Sequence, residues 1–152
     1  MPYQPRGRFW DDFKQGETFV TAARTITEGA VDLFAGLSGD FNPLHTDEET
    51  ARQLPMKGRI AHGMLVLSVA TGLANQLGLF EGTTLALLGM DRIRWTAPVR
   101  PGDTIHVELT VREKKESSKP DRGVVVTDVS VKNQRGEEVM QAEWTTLMAR
   151  RG

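Results

Sequence analysis

A chain of 152 residues with 26% charged side chains and a formal net charge of −1 is long enough for one domain with a buried core, and it offers no basic surface for a nucleic acid. The absence of cysteine removes disulfides, thiol nucleophiles and thiolate metal sites together. The polar residues Met1–Arg8, with Pro2, Pro5 and Gly7, lead into no apolar signal core, so the expectation is a cytoplasmic protein with a flexible tail over residues 1–8 and one domain over 9–150.

From Phe9 to Phe19 aromatics mix with Asp11, Asp12 and Gly16, which predicts an irregular lead-in with a turn at Gln15-Gly16. Thr18 to Ile26 is β-rich and alternates weakly, and it reads as the first strand. Thr27 is placed to cap a helix, with Glu28 in the first turn where the helix dipole favours a carboxylate. Val31, Phe34, Ala35 and Leu37 give that helix an apolar side, and Ser38-Gly39 ends it.

The next segment, Ser38-Gly39-Asp40-Phe41-Asn42-Pro43-Leu44-His45, sets a carboxylate and an imidazole five residues apart across Asn-Pro. On a helix the two side chains would point about 140° apart. Pro43 disfavours a helix through the segment and Asn-Pro favours a turn, so the chain can fold back and aim Asp40 and His45 at one point. Such a pair suits proton transfer to and from a small molecule such as water. The same residues also suit a plain capped turn, and spacing does not separate the two readings. Metal binding is the weaker rival: Asp40, His45, Asp47, Glu48 and Glu49 are ligand types, but no second histidine lies at the usual spacing. A calcium loop fails, with His45 at the glycine position and Ala51 at the bidentate glutamate position.

Thr46-Asp47-Glu48-Glu49 fits a capping box and predicts a short helix to about Gln53, with Leu54–Arg59 as a loop. Ile60 to Phe80 contains no Asp, Glu, Lys or Arg, a length that invites a membrane span. His62, Ser68, Thr71, Asn75, Gln76 and three glycines argue instead for a helix buried nearly all round, with Met64, Leu65, Leu67, Val69, Leu73 and Leu77 spread around it. The remainder is β: Thr84–Val99, Thr104–Glu113, Val124–Lys132 and Glu138–Met148, with a solvated loop over Lys114–Gly123 and a turn at Asn133–Gly136. The fold class is α+β, about five antiparallel strands curled around one long central helix, with a face or edge left for a second subunit.

Phe34-Ala35-Gly36-Leu37-Ser38-Gly39-Asp40-Phe41-Asn42-Pro43-Leu44-His45, with Ala51 six residues on, resembles without departure the hydratase-2 motif of the MaoC-like dehydratases. Ala61-His62-Gly63-Met64-Leu65 and Trp95-Thr96-Ala97-Pro98-Val99-Arg100-Pro101-Gly102-Asp103 are similar to later pieces of the family, in the family's order. The resemblance implies a hotdog fold and a homodimer or dimer of dimers. It further implies a coenzyme A thioester as substrate, no separate cofactor, and a place in fatty acid metabolism. The implied reaction is reversible hydration of a trans-2-enoyl-CoA to the (R)-3-hydroxyacyl-CoA.

Asp40 and His45 then match the family's catalytic pair, and the backbone N–H of Gly63, near the start of the long helix, is the expected donor to the enolate oxygen. Thr71 corresponds to a position that is often Ser or Thr in relatives; a bond near the bound water or Asp40 and a bond back to its own helix suit it equally. His62 reads as structural, fixing the loop ahead of the helix, Asn42 as a brace for the turn, and His106 as a solvent-face residue. Lys57, Arg59, Arg92, Arg94 and Arg100 are candidates for the coenzyme phosphates, with none assigned. No metal, nucleic acid or membrane partner is expected. The alternatives are a hotdog acyl-CoA thioesterase and a non-catalytic acyl-thioester-binding protein. The acyl chain, the carrier, the direction and the residue that takes the water's proton stay open.

Overall fold

Residues 1–152 are described by a computed structural model. After a single 3-10 turn at Trp10–Asp12 come β1 (Thr18–Val20), β2 (Arg24–Thr25), α1 (Glu28–Ser38), α2 (Pro43–Thr46) and α3 (Glu48–Gln53). The long helix α4 (Gly63–Gln76) follows, then β3 (Thr84–Trp95), β4 (Thr104–Glu116), β5 (Arg122–Lys132) and β6 (Glu138–Ala149). All pairings are antiparallel, in the order β1-β4-β5-β6-β3, with β2 also on β4.

The expected first strand is two strands. Thr21 interrupts it: its hydroxyl accepts from Val107 N–H at 2.9 Å and donates to Ala22 O at 2.7 Å, so a side chain replaces a rung of the ladder. The hairpin between β4 and β5 runs further than its polar sequence suggested, with Lys114, Lys115 and Glu116 paired to Val125, Val124 and Gly123. Trp10 accounts for the extension. Its ring lies on Gly123, with the cations of Lys114 and Arg150 4.1 and 4.4 Å from its centroid, and its indole N–H donates to Val124 O.

The alternation in β4 places Ile105, Val107, Leu109 and Val111 on the inner face, where all four are buried. Leu65, Val66, Leu67, Ala70, Leu73 and Ala74 of α4 pack in the same core as the first three of these. Burial of each larger aliphatic side chain contributes roughly 1.5–3 kcal/mol, so this face holds the helix on the sheet. The helix is not buried all round: Met64, Ser68 and Asn75 form an exposed stripe, because within one chain the curled sheet covers one side of the helix only. Leu37, expected on the apolar side of α1, is likewise exposed.

The strand expected to reach Val99 ends at Trp95. Its alternation is broken where the register slips between Asp91 and Arg94 and Arg92 adopts a left-handed φ of 51°. As the edge strand, β3 leaves Leu85, Leu87 and Leu88 exposed. At the N-terminus, Gly7 N–H and Arg8 N–H donate to Glu81 O and Leu79 O. No helix is long and apolar enough to cross a membrane.

Candidate active site

The loop between α1 and α2 is held at both ends. Thr27 caps α1 by accepting from Ala30 N–H, and Gly39 closes it with a φ of 78° and an N–H that donates to Ala35 O. Pro43 does not merely break the helix; it begins α2, since its missing N–H and fixed φ suit a first helical position, and Asn42 Oδ1 accepts from Leu44 N–H as the cap. Asp40 therefore stands in the loop and His45 on a separate short helix. Asp47, not Thr46, caps α3, accepting from Thr50 N–H at 3.0 Å. Hydrogen bonds from Thr50 hold the Asp47 carboxyl below the usual carboxylate range. Thr46 is freed to donate to Phe41 O and Asn42 O, which closes the loop on itself.

The backbone of Ile60 clasps the histidine. Ile60 N–H donates to Leu44 O at 3.1 Å, and His45 Nδ1 lies 2.7 Å from Ile60 O. With Nδ1–H donating there, the Nε2 of the buried His45 ring is turned to Asp40 Oδ2, 3.9 Å away. That gap is too long for a direct hydrogen bond. The other oxygen of Asp40 accepts from Asn42 N–H at 3.2 Å, and the carboxylate is half exposed.

His62 joins this pair, 1% exposed. Its Nε2–H donates to the Asp40 carbonyl at 2.9 Å, its ring stacks on His45 at 3.9 Å between centroids, and Phe34 meets it edge-on. Asp40, His45 and His62 offer ligand atoms within 4.8 Å of one another, a grouping that sequence spacing missed because only the tertiary fold brings His62 alongside. The chemistry is not that of a chelate. The imidazoles lie nearly parallel at 27°, so their in-plane lone pairs do not converge, and each ring commits one nitrogen to a backbone carbonyl.

Gly63 opens α4. The N–H groups of Gly63, Met64 and Leu65 have no protein acceptor, and the helical bonding begins with Val66 N–H donating to His62 O. The missing side chain has a local cause: a Cβ on Gly63 would lie 2.8 Å from the Trp95 ring, whose Nε1–H donates to Gly63 O at 2.9 Å. A cavity of about 550 Å³ opens beside these groups, lined by His45, Gly63, Trp95 and apolar side chains including Ile60, Met64 and Val99. Trp95 and the Ile60 backbone are the parts of the site that motif reading overlooked. The first stood in a quoted segment without a role, and a main-chain carbonyl leaves no mark in a sequence.

Thr71 lies elsewhere in this chain. Its hydroxyl donates back to Ser68 O at 2.6 Å, and it lines a smaller cavity of about 100 Å³ with Phe80, Leu87, Met90 and Trp144. Among the basic candidates, Arg59 is engaged by Glu28, Asp32 and Glu48, and Arg92 by Glu143. Arg94 donates to Ile93 O and Arg100 to Met56 O, while Lys57 forms no ion pair. His106, on β4, is half-buried.

The family model of the MaoC like domain matches residues 12–134. The chain belongs to the MaoC-like domain family. Among curated relatives it is 34% identical to an (R)-specific enoyl-CoA hydratase of Rhodospirillum rubrum, over 95% of this chain and 94% of that protein. It is 36% identical to Protein MaoC of Klebsiella aerogenes over 72% of this chain, which spans only 32% of that longer protein. Among solved structures, a protein described as a monoamine oxidase regulatory protein from Archaeoglobus fulgius superposes with a TM-score of 0.90 at 37% identity, covering 96% of this chain and 97% of that one. A Mycobacterium tuberculosis protein with a double hotdog fold, 20% identical, has a TM-score of 0.85 over 98% of this chain and 46% of that one, and shows the fold. This MaoC-like chain is a hotdog protein, and an enzyme of the hydratase kind within the lyases.

Proposed function

We propose that this MaoC-like enzyme adds water reversibly to a trans-2-enoyl-CoA and forms the (R)-3-hydroxyacyl-CoA, with Asp40 and His45 as the acid–base pair. The observation that carries the reading is the 3.9 Å gap between His45 Nε2 and Asp40 Oδ2, next to a cavity shared by His45 and Gly63. An oxygen at about 2.8 Å from both atoms would see them at roughly 90°, a workable geometry for one water that donates to each.

In the hydration direction the water oxygen bonds to the β-carbon as one of its protons passes to the pair. The C=C electrons move onto the α-carbon and thioester oxygen, and the α-carbon then takes a proton from the pair, which returns to its starting state. With Nδ1–H held on Ile60 O, His45 meets the water through the Nε2 lone pair, while Asp40 orients the second hydrogen. The enolate oxygen is assigned to the unpartnered N–H of Gly63 at the positive end of α4.

A homodimer accompanies this reading, supported by the exposed Leu85, Leu87 and Leu88 on the edge strand β3 and by the uncovered stripe of α4. A cytoplasmic setting in fatty acid metabolism, with coenzyme A as part of the substrate and no separate cofactor, fits the same reading.

The test follows loss of enoyl-thioester ultraviolet absorbance over a range of trans-2-enoyl-CoA chain lengths, with chiral analysis of the product. Turnover that yields the (R)-alcohol and drops by about 10²–10⁴ in Asp40→Asn and in His45→Gln is expected. Release of free coenzyme A thiol without an alcohol product would make the protein a thioesterase. Binding of acyl-CoA with no turnover on any chain length would make it a binding protein.

A further inference from the structure

We propose that Trp95 is a positioning and specificity residue of this site: its indole holds the residue that carries the enolate-binding N–H, and its ring sets how bulky an acyl group reaches His45. The inference rests on the hydratase reading above for its kinetic part, and on geometry alone for its binding part.

The position of the ring is imposed by the sheet. Trp95 is the last residue of β3 and pairs in register with Met140, and the next residue is tied down by Thr96 N–H donating to Val139 O at 2.9 Å. From this anchored end the indole reaches across to the start of α4. Nε1–H donates to Gly63 O, and ring atoms stand 2.8 Å from where a Cβ of residue 63 would be.

A glycine at a helix start is poorly restrained by its own torsions. Here both peptide planes that meet at its Cα are held, one by the first bond of the helix and the other from outside it. His62 O, in the plane that carries Gly63 N–H, accepts from Val66 N–H, and Gly63 O, in the next plane, accepts from the indole. The N–H is thereby aimed before any substrate arrives, which is the condition for a donor to stabilise a transition state rather than reorganise around it.

The same ring is a wall. Trp95 remains 46% exposed although it is large and aromatic, and it borders the cavity that also holds His45 and Met64. Because the indole and His45 line the same cavity, an acyl group seated there beside His45 meets the indole as one of its walls. A straight chain fits along a flat ring more readily than one branched near the reacting carbon.

Trp95→Phe and Trp95→Leu separate the two roles. The phenyl ring keeps most of the wall and loses the N–H, so Trp95→Phe should lower kcat about tenfold or more on every substrate. Its kcat/KM ratio between a γ-branched enoyl-CoA and crotonyl-CoA should stay at the wild-type value. Trp95→Leu removes the wall, so that ratio should rise by about tenfold, the scale on which a pocket discriminates one or two methyl groups. An unchanged ratio in folded Trp95→Leu overturns the specificity role, and an unchanged kcat in Trp95→Phe overturns the positioning role.

Binding supplies a readout that needs no turnover. Saturated butyryl-CoA should shift the indole fluorescence of the wild type, and the shift should be absent in Trp95→Phe. Free coenzyme A should leave the emission unmoved. An equal shift with free coenzyme A would place the ring against the carrier and overturn the acyl wall. If no enoyl-CoA turns over but butyryl-CoA gives the Trp95-dependent shift, the hydratase reading fails while the wall stands.

Discussion

His62 lies face to face with His45, ring centroids 3.9 Å apart and planes 27° from parallel. The same buried ring donates to the Asp40 carbonyl, so both members of the proposed acid–base pair lean on one imidazole, immediately ahead of Gly63 in the chain.

Replacing that ring should cost turnover more than folding. His62→Phe keeps the stack and removes the donor to Asp40; His62→Gln keeps an N–H donor and removes the stack. Each is expected to lower kcat about tenfold to a hundredfold, the scale of a misplacement near 1 Å. His62 Nδ1 is buried without a partner, a cost of roughly 1–3 kcal/mol, so His62→Phe should melt no lower than wild type. Wild-type kcat in the phenylalanine variant would show that the Asp40 carbonyl needs no donor.

Gly63→Ala should damage the protein twice. Its Cβ would stand 2.8 Å from the Trp95 ring, an overlap worth roughly 1–3 kcal/mol of stability, and the N–H should turn away from the cavity. Adding Trp95→Leu makes room, so the double variant should recover most of the melting temperature but not the wild-type kcat. Recovery of both would mean that Trp95 matters here only as an obstacle.

Arg59 ties α1 to α3 through Glu28, Asp32 and Glu48, and its hydrogen bond holds the Glu48 carboxyl below the ordinary glutamate range. A depressed carboxyl pKa adds stability above the unfolded-state value, roughly 4.3, and loses it as the pH falls through the folded value. The gap in melting temperature between wild type and Arg59→Met should therefore be open at about pH 6 and narrow below about pH 4. A gap that is constant across that range would make the clasp one of packing rather than charge.

Apart from His45, no ionisable side chain lines the cavity beside the pair, whose walls include Met56, Ile60, Met64, Trp95 and Val99. A terminal carboxylate on the acyl group would be stripped of water with no cationic side chain of Lys or Arg to pair it. An enoyl-CoA with a terminal carboxylate should show kcat/KM at least about a hundredfold below an uncharged one of equal length. Equal rates would place the acyl group outside this cavity.

Local sequence carried the parts of this protein that depend on near neighbours. The apolar alternation of β4, the Thr27 cap, the stop at Gly39 and the charge-free run that becomes α4 each follow from side chains a few residues apart, and so did the α+β class. The run from Phe34 to His45 writes the loop that presents Asp40 and His45 in consecutive residues, but its resemblance to a family motif, and not its spacing, singled the two out.

Where a contact joins distant segments, the sequence was silent or misleading. Thr21 splits a strand because its hydroxyl meets Val107 N–H, from a segment far along the chain. His62 stacks on His45, Ile60 O selects the imidazole tautomer, and Trp95 fills the place of a side chain that Gly63 lacks. Only the packing of α4 against the sheet brings these groups together. Composition and periodicity mark which segments carry a buried face, but how much of that face is covered, and the aim of a hydrogen-bond donor in the site, are decided by what the tertiary fold sets beside it.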